Sequence, residues 1–69
     1  MTVFAKRFKE QRIQKGLKPA EMADTLGLKL RAYHYYESGE REPNIARLVM
    51  IADVLGTSID YLTGRIDKR

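Results

Sequence analysis

Residues 19–37 read PAEMADTLGLKLRAYHYYE, and this stretch decides the fold. Pro19 suits the first position of a helix, where its missing N–H would be unpaired anyway. Beyond it Met22, Ala23 and Leu26 recur at helical spacing and form one inner face. Gly27 stands where the chain must turn sharply, because glycine takes a left-handed conformation without steric cost. Leu28, Tyr33 and Tyr36 then mark the inner face of a second helix. The aromatic tract Tyr33-His34-Tyr35-Tyr36 also has strand character. A lone strand among helices would have no partner, however, and a spacing of three puts Tyr33 and Tyr36 on one helical face. Ala23 is small enough to let the two helices approach. Together these are the parts of a helix-turn-helix.

The same reading extends in both directions. Five glycines, at positions 16, 27, 39, 56 and 64, each follow a stretch with helical apolar spacing, so an all-α chain of five short helices is expected. The first runs from about Thr2 to Lys15, with Thr2 as cap, Phe4, Phe8 and Ile13 inward and Lys6, Lys9 and Gln14 outward. The second covers Pro19 to about Leu26 and the third about Leu30 to Glu37. The fourth covers Ile45 to Leu55 behind an Asn44 cap, and the fifth Ile59 to Leu62 behind a Ser58 cap. Between the third and fourth lies a charged loop, Ser38-Gly39-Glu40-Arg41-Glu42-Pro43. With no repeat or linker, one domain is expected over residues 1–64, followed by a polar tail at 65–69.

Composition narrows the function. The chain has 69 residues, no Cys, no Trp and one His, which leaves neither disulfides nor metal staples to support a core this small. His34 has no ligand partner at suitable spacing, so no metal is expected. Ser38 and Ser58 sit in no nucleophile motif, and the glycines match no phosphate-cradling fingerprint, which argues against an enzyme, a cofactor or a small-molecule ligand. The longest apolar run, Leu48 to Ala52, is far too short to cross a bilayer, and with the lack of Cys it points to a cytoplasmic protein without membrane contact. Charge is uneven: residues 1–41 hold nine bases and five acids, whereas residues 42–69 hold four of each. An excess confined to one half is the footprint expected of a surface facing a polyanion, although a net charge of this size also serves solubility alone. It falls on the half that contains the helix-turn-helix, whose third helix turns Leu30, Arg31, His34 and Tyr35 outward.

The chain resembles the lambda-repressor and Cro family of phage-type helix-turn-helix regulators. The resemblance covers nearly its whole length. It is carried by Phe4, Phe8, Arg12 and Gly16-Leu17; by Met22-Ala23 and Leu26-Gly27-Leu28; by the run from Tyr36 to Pro43; and by Leu48, Ile51-Ala52-Asp53, Leu55-Gly56 and Ser58 to Leu62. It implies a compact five-helix domain with the third helix in the major groove of double-stranded DNA, one half of a homodimer on a two-fold operator. The implied protein is a bacterial or phage transcriptional regulator, a repressor where its site overlaps a promoter.

By family position Leu30, Arg31 and Tyr35 would read bases. A guanidinium at Arg31 can donate twice to guanine O6 and N7, and Leu30 can pack on a thymine methyl. Tyr35 either offers its hydroxyl or ring to a base or covers an apolar neighbour. Lys18, Ser38, Arg41 and Asn44 match positions near the phosphates, with His34 reaching a phosphate or solvent. Arg12 and Glu37 match an ion pair between the first helix and the end of the third. Three departures are notable: Pro19 replaces a Gln common at the start of the second helix, Gln11 replaces an aliphatic, and Lys29 replaces a Ser or Thr cap and can instead reach a phosphate. Glu40 and Glu42 flank Arg41 with opposing charge. The fifth helix offers more apolar groups than it can hide, so Ile59, Tyr61 and Leu62 are expected at the dimer interface. Relatives often continue into a second domain, so the chain is either a complete Cro-like protein or part of a longer one. The alternative is a protein-interaction module on the same scaffold, an antitoxin or regulator partner, using Leu30, Tyr35 and the fifth helix.

Overall fold

The computed structural model describes residues 2–68. Five helices follow one another: α1 (Val3–Gln14), α2 (Pro19–Thr25), α3 (Leu30–Ser38), α4 (Ile45–Leu55) and α5 (Ile59–Thr63). The described residues contain no strand, so the aromatic tract is helical. Side-chain oxygens open three of the helices. Thr2 Oγ1 accepts from the Ala5 N–H at 3.0 Å, Asn44 Oδ1 from Arg47 at 2.8 Å and Ser58 Oγ from Tyr61 at 3.0 Å. At α2, Pro19 takes the first position while Glu21 reaches back to accept from the Lys18 N–H at 2.9 Å. No side chain caps α3, which Lys29 precedes.

One core gathers from all five elements: Phe4 and Phe8 of α1, Met22 and Ala23 of α2 with Leu26 just beyond it, Tyr33 of α3, Ile51, Ala52 and Leu55 of α4, and Leu62 of α5. Phe4 and Phe8 stack with centroids 5.2 Å apart, and Phe8 meets Tyr33 at 5.3 Å with the rings tilted by 50°. Ile13, expected inward, is 56% exposed, and Gln11 and Arg12 are buried instead. The inward stripe runs through positions 4, 8, 11 and 12; at 3.6 residues per turn, position 13 falls about 140° round from position 8.

Two arginines tie distant segments to this core through main-chain carbonyls. Arg7 donates from Nη1 to the carbonyls of Tyr61 at 2.6 Å and Ile66 at 2.7 Å. Its guanidinium also lies 4.2 Å over the Tyr61 ring and 3.2 Å from Asp67. This fastens part of the expected tail to α1; Arg69 lies outside the described residues. Arg47 of α4 donates to the carbonyl of Leu26, the residue that ends α2, and so holds the helix-turn-helix against α4.

Candidate nucleic-acid interface

The turn between α2 and α3 is closed by the backbone. The Gly27 N–H donates to Asp24 at 3.0 Å and the Leu28 N–H to Ala23 at 2.8 Å, with Gly27 at a φ of +69° that a side chain would resist. Ala23, 2% exposed, lets α3 lie close against α2. The inner face of α3 is then fixed by Tyr33, fully buried, with Tyr36 half-buried beside it.

At its C-terminal end α3 is held by a polar cluster. The Tyr33 hydroxyl donates to Glu37 Oε2, and Arg12 Nε lies 3.3 Å from that same oxygen. Arg12 Nε lacks hydrogen-bond geometry, so its contact with Glu37 is Coulombic, while its Nη1 donates to the Leu17 carbonyl at 2.7 Å. Burial, followed by the hydrogen bond to Glu37 and the charge of that carboxylate, raises the Tyr33 phenol above its ordinary pKa; Arg12 opposes the shift. This cluster orients α3 from behind.

The outer face of α3 carries Leu30, 45% exposed, with Arg31 and His34 also exposed. Tyr35 is half-buried, and what covers it is charged. Arg31 Nε donates to the Tyr35 hydroxyl at 3.2 Å, and the Arg41 guanidinium lies 4.4 Å from the ring centroid. Arg31, Tyr35 and Arg41 therefore form one unit. Where the sequence left two alternatives for Tyr35, the geometry gives its hydroxyl and ring to two guanidiniums.

The other expected contact residues are more scattered. Lys18 and Lys29 are exposed and precede α2 and α3. Ser38 Oγ turns back to the Tyr35 carbonyl at 3.2 Å and to Glu40 at 3.3 Å, while Asn44 Oδ1 is engaged as the α4 cap. His34 borders a cleft of about 350 Å³ together with Lys9, Tyr35, Glu37, Ser38 and Glu40. Lys9 is not among the contact residues expected from the sequence. Its signal is that it lies one residue past the inward Phe8, on the side of α1 next to the end of α3.

The apolar residues of α5 need correction. Leu62 is fully buried in the core, Tyr61 lies beneath Arg7, and Ile59 packs half-buried against the core. Leu62 is thus unavailable to a second subunit, because α5 packs across α1 and turns Leu62 inward. Three large apolar residues of α4 are open, Ile45 at 80%, Val49 at 43% and Met50 at 42% exposure, besides Val3 and Ile13 of α1, Leu30 of α3 and Ile66. Among the described residues no group of His, Cys, Asp and Glu could hold a metal, and no helix is long and apolar enough to cross a membrane.

The fold that holds this face has counterparts in known proteins. The sequence matches the Helix-turn-helix family over residues 8–62. The chain belongs to this family. Among Helix-turn-helix relatives, the cryptic phage CTXphi transcriptional repressor RstR of Vibrio cholerae is 54% identical over 67% of this chain and 41% of its own length. The P22 c2 repressor, solved in complex with a synthetic operator, superposes with a TM-score of 0.82 at 26% identity over 90% of this chain and 94% of that chain. A hydroxypropylphosphonic acid epoxidase from S. wedmorenis superposes with the same TM-score at 40% identity, but over only 33% of that enzyme. The likeness to an enzyme is thus confined to a helix-turn-helix-sized part of it. The chain spans about half the length of the curated relatives it matches, 41–56% of the first three.

Proposed function

We propose that this chain is the sequence-specific double-stranded DNA-binding domain of a transcriptional regulator, acting as a repressor with α3 in the major groove. The observation that carries the reading is the outward face of α3, which presents Leu30 and an Arg31 whose two Nη groups carry no hydrogen bond among the described residues. Two such donors match guanine O6 and N7, a contact worth about 1–3 kcal/mol of discrimination. Leu30 meets a thymine methyl. Lys18, Lys29, His34, Ser38, Arg41 and Asn44 supply backbone contacts that set register, with Lys9 beside them. The P22 c2 repressor with its operator supports this reading by likeness.

The domain binds as a homodimer on a two-fold site. A single α3 fixes on the order of three base pairs, a match recurring roughly once in 64 positions, whereas two copies reduce this to roughly once in 4,000. The exposed Ile45, Val49 and Met50 of α4, together with Ile59, provide the apolar area for the second copy. Arg47, the one cation of α4, is turned to the Leu26 carbonyl, and the charge left beside that face is Asp53, four residues past Val49.

The test is selection from a randomised duplex pool at two salt concentrations. A palindromic consensus is expected. Arg31→Ala should erase preference at one base pair of each half-site. Lys18→Ala should weaken all sequences alike and reduce the log-log salt slope by about 1. Equal losses on specific and random DNA for Arg31→Ala would remove it as a base reader. No enrichment at either salt, with salt-insensitive capture of a protein partner, would favour an interaction module using the apolar face of α4.

A further inference from the structure

Arg31 and Tyr35 stand one helical turn apart and both face outward, so each has the position of a base reader. Their geometry separates the two roles. An arginine at a helix surface loses substantial rotamer freedom when it is fixed against a base, and this opposes binding unless the side chain is already held. Arg31 is held, since its Nε donates to the Tyr35 hydroxyl at 3.2 Å. That bond uses the one guanidinium nitrogen that an end-on guanine contact does not need. Both Nη groups stay open.

Tyr35 also engages Arg41. The Arg41 guanidinium covers its ring at 4.4 Å, and the Arg41 backbone N–H donates to the Tyr35 carbonyl at 3.2 Å. The loop after α3 is therefore anchored to Tyr35 twice. One tyrosine orders two cations that have different targets, a base edge for Arg31 and a phosphate for Arg41. The Arg31 guanidinium lies 5.9 Å from the same ring centroid, so both cations draw on one tyrosine.

We infer that Tyr35 is a positioning residue, whose hydroxyl sets the orientation of Arg31 for base reading and whose ring sets Arg41 for the backbone. The inference rests on the DNA-binding reading above and divides the tyrosine into two separable parts. Tyr35→Phe removes the hydroxyl and keeps the ring; Tyr35→Ala removes both.

Both variants are compared with the wild type and Arg31→Ala by selection from randomised duplexes and by titration of selected and scrambled duplexes over a salt series. Tyr35→Phe is expected to lower preference on the order of five-fold at the base pair that Arg31→Ala affects. Its affinity for scrambled DNA and its salt slope should remain at wild-type values. In an Arg31→Ala background, Tyr35→Phe should change nothing further, and Tyr35→Ala should additionally lower the salt slope by about 1. Tyr35→Phe keeps the half-buried ring, so circular dichroism and melting should match the wild type and separate this effect from misfolding. Loss of preference at a different base pair would make Tyr35 itself a reader and overturn the inference. So would a Tyr35→Phe profile identical to the wild type. A wild-type chain that selects no sequence, or whose profile is unmoved by Arg31→Ala, would instead defeat the DNA-reading proposal on which this one stands.

Discussion

Replacing Arg12 by Met or Glu37 by Gln removes one half of a charge pair whose side chains are only 9% and 15% exposed. Breaking a buried pair from one side costs about 3–5 kcal/mol, because the remaining charge is left in a poor solvent. The lower end applies here. Arg12 keeps its bond to the Leu17 carbonyl when Glu37 is changed, and the amide oxygen introduced by Glu37→Gln still accepts from the Tyr33 hydroxyl. A loss of about 3 kcal/mol is severe for a chain this small, whose whole stability is about 3–10 kcal/mol, and corresponds to roughly 20 °C in Tm. The double variant leaves no charge. It loses chiefly the donor to Leu17, about 1 kcal/mol, so it should be more stable than either single variant, with a coupling of about 5 kcal/mol at these values. Urea melts followed by circular dichroism measure all four proteins. Single losses below about 1 kcal/mol each, or losses that add within about 0.5 kcal/mol, would refute the view that Arg12 and Glu37 are held by each other.

Gly64→Ala should destabilise more than Gly27→Ala, although both glycines have positive φ, because an added Cβ at position 64 meets Val3 Cγ1 at 2.9 Å whereas none lies within 4 Å at position 27. Gly27→Ala should cost about 1–2 kcal/mol of backbone strain alone, and thermal melts should show the excess at position 64 shrinking in a Val3→Ala background. The raised pKa of Tyr33 means that its neutral form stabilises the fold fully below the unfolded value of about 10, and that this contribution is lost as pH rises above it. The stability difference between wild type and Tyr33→Phe should therefore be constant up to about pH 9 and then fall by up to about 1.4 kcal/mol per pH unit; parallel curves to about pH 11 would contradict this.

Most of the fold is legible because its signals are local. Helical apolar spacing, the Thr2, Asn44 and Ser58 caps and Pro19 at a helix start place all five helices to within about a residue at each end. Differences arise where a side chain is placed by distant contacts. Ile13 is apolar and would be read as inward, but Arg12 occupies the interior through Leu17 and Glu37. Leu62 would be read as available to a second subunit because the fifth helix offers more apolar groups than it can hide, and it is buried because α1 lies across it. Arg7 and Arg47 find their acceptors 54 and 21 residues away, at Tyr61 and Leu26, and no local pattern announces such bonds. At the candidate site, the spacing of Arg31 and Tyr35 makes an i, i+4 contact readable in principle. By position alone they look equivalent, since an outward position does not reveal that Arg31 Nε donates to the Tyr35 hydroxyl.

The same long-range contacts change what the charge pattern means. In the sequence, residues 1–41 carry nine bases against five acids, and all of them count equally toward a polyanion. In the folded chain Arg7 is committed to the carbonyls of Tyr61 and Ile66, and Arg12 to Leu17 and Glu37. Setting those arginines and Glu37 aside leaves seven bases against four acids in the same stretch. The positive excess survives without Arg7 and Arg12, and it includes the exposed Lys18 and Lys29 before α2 and α3 and the Arg31 and Arg41 that flank Tyr35. An arginine bound to main-chain carbonyls adds net charge to the domain and gives up hydrogen-bond donors that a phosphate would use. On the proposed DNA-binding reading, substituting Arg7 or Arg12 would therefore weaken binding chiefly by loosening the scaffold, whereas the exposed Lys18 would act through its own charge. Net charge alone cannot separate the two kinds of cation; the carbonyls they reach can.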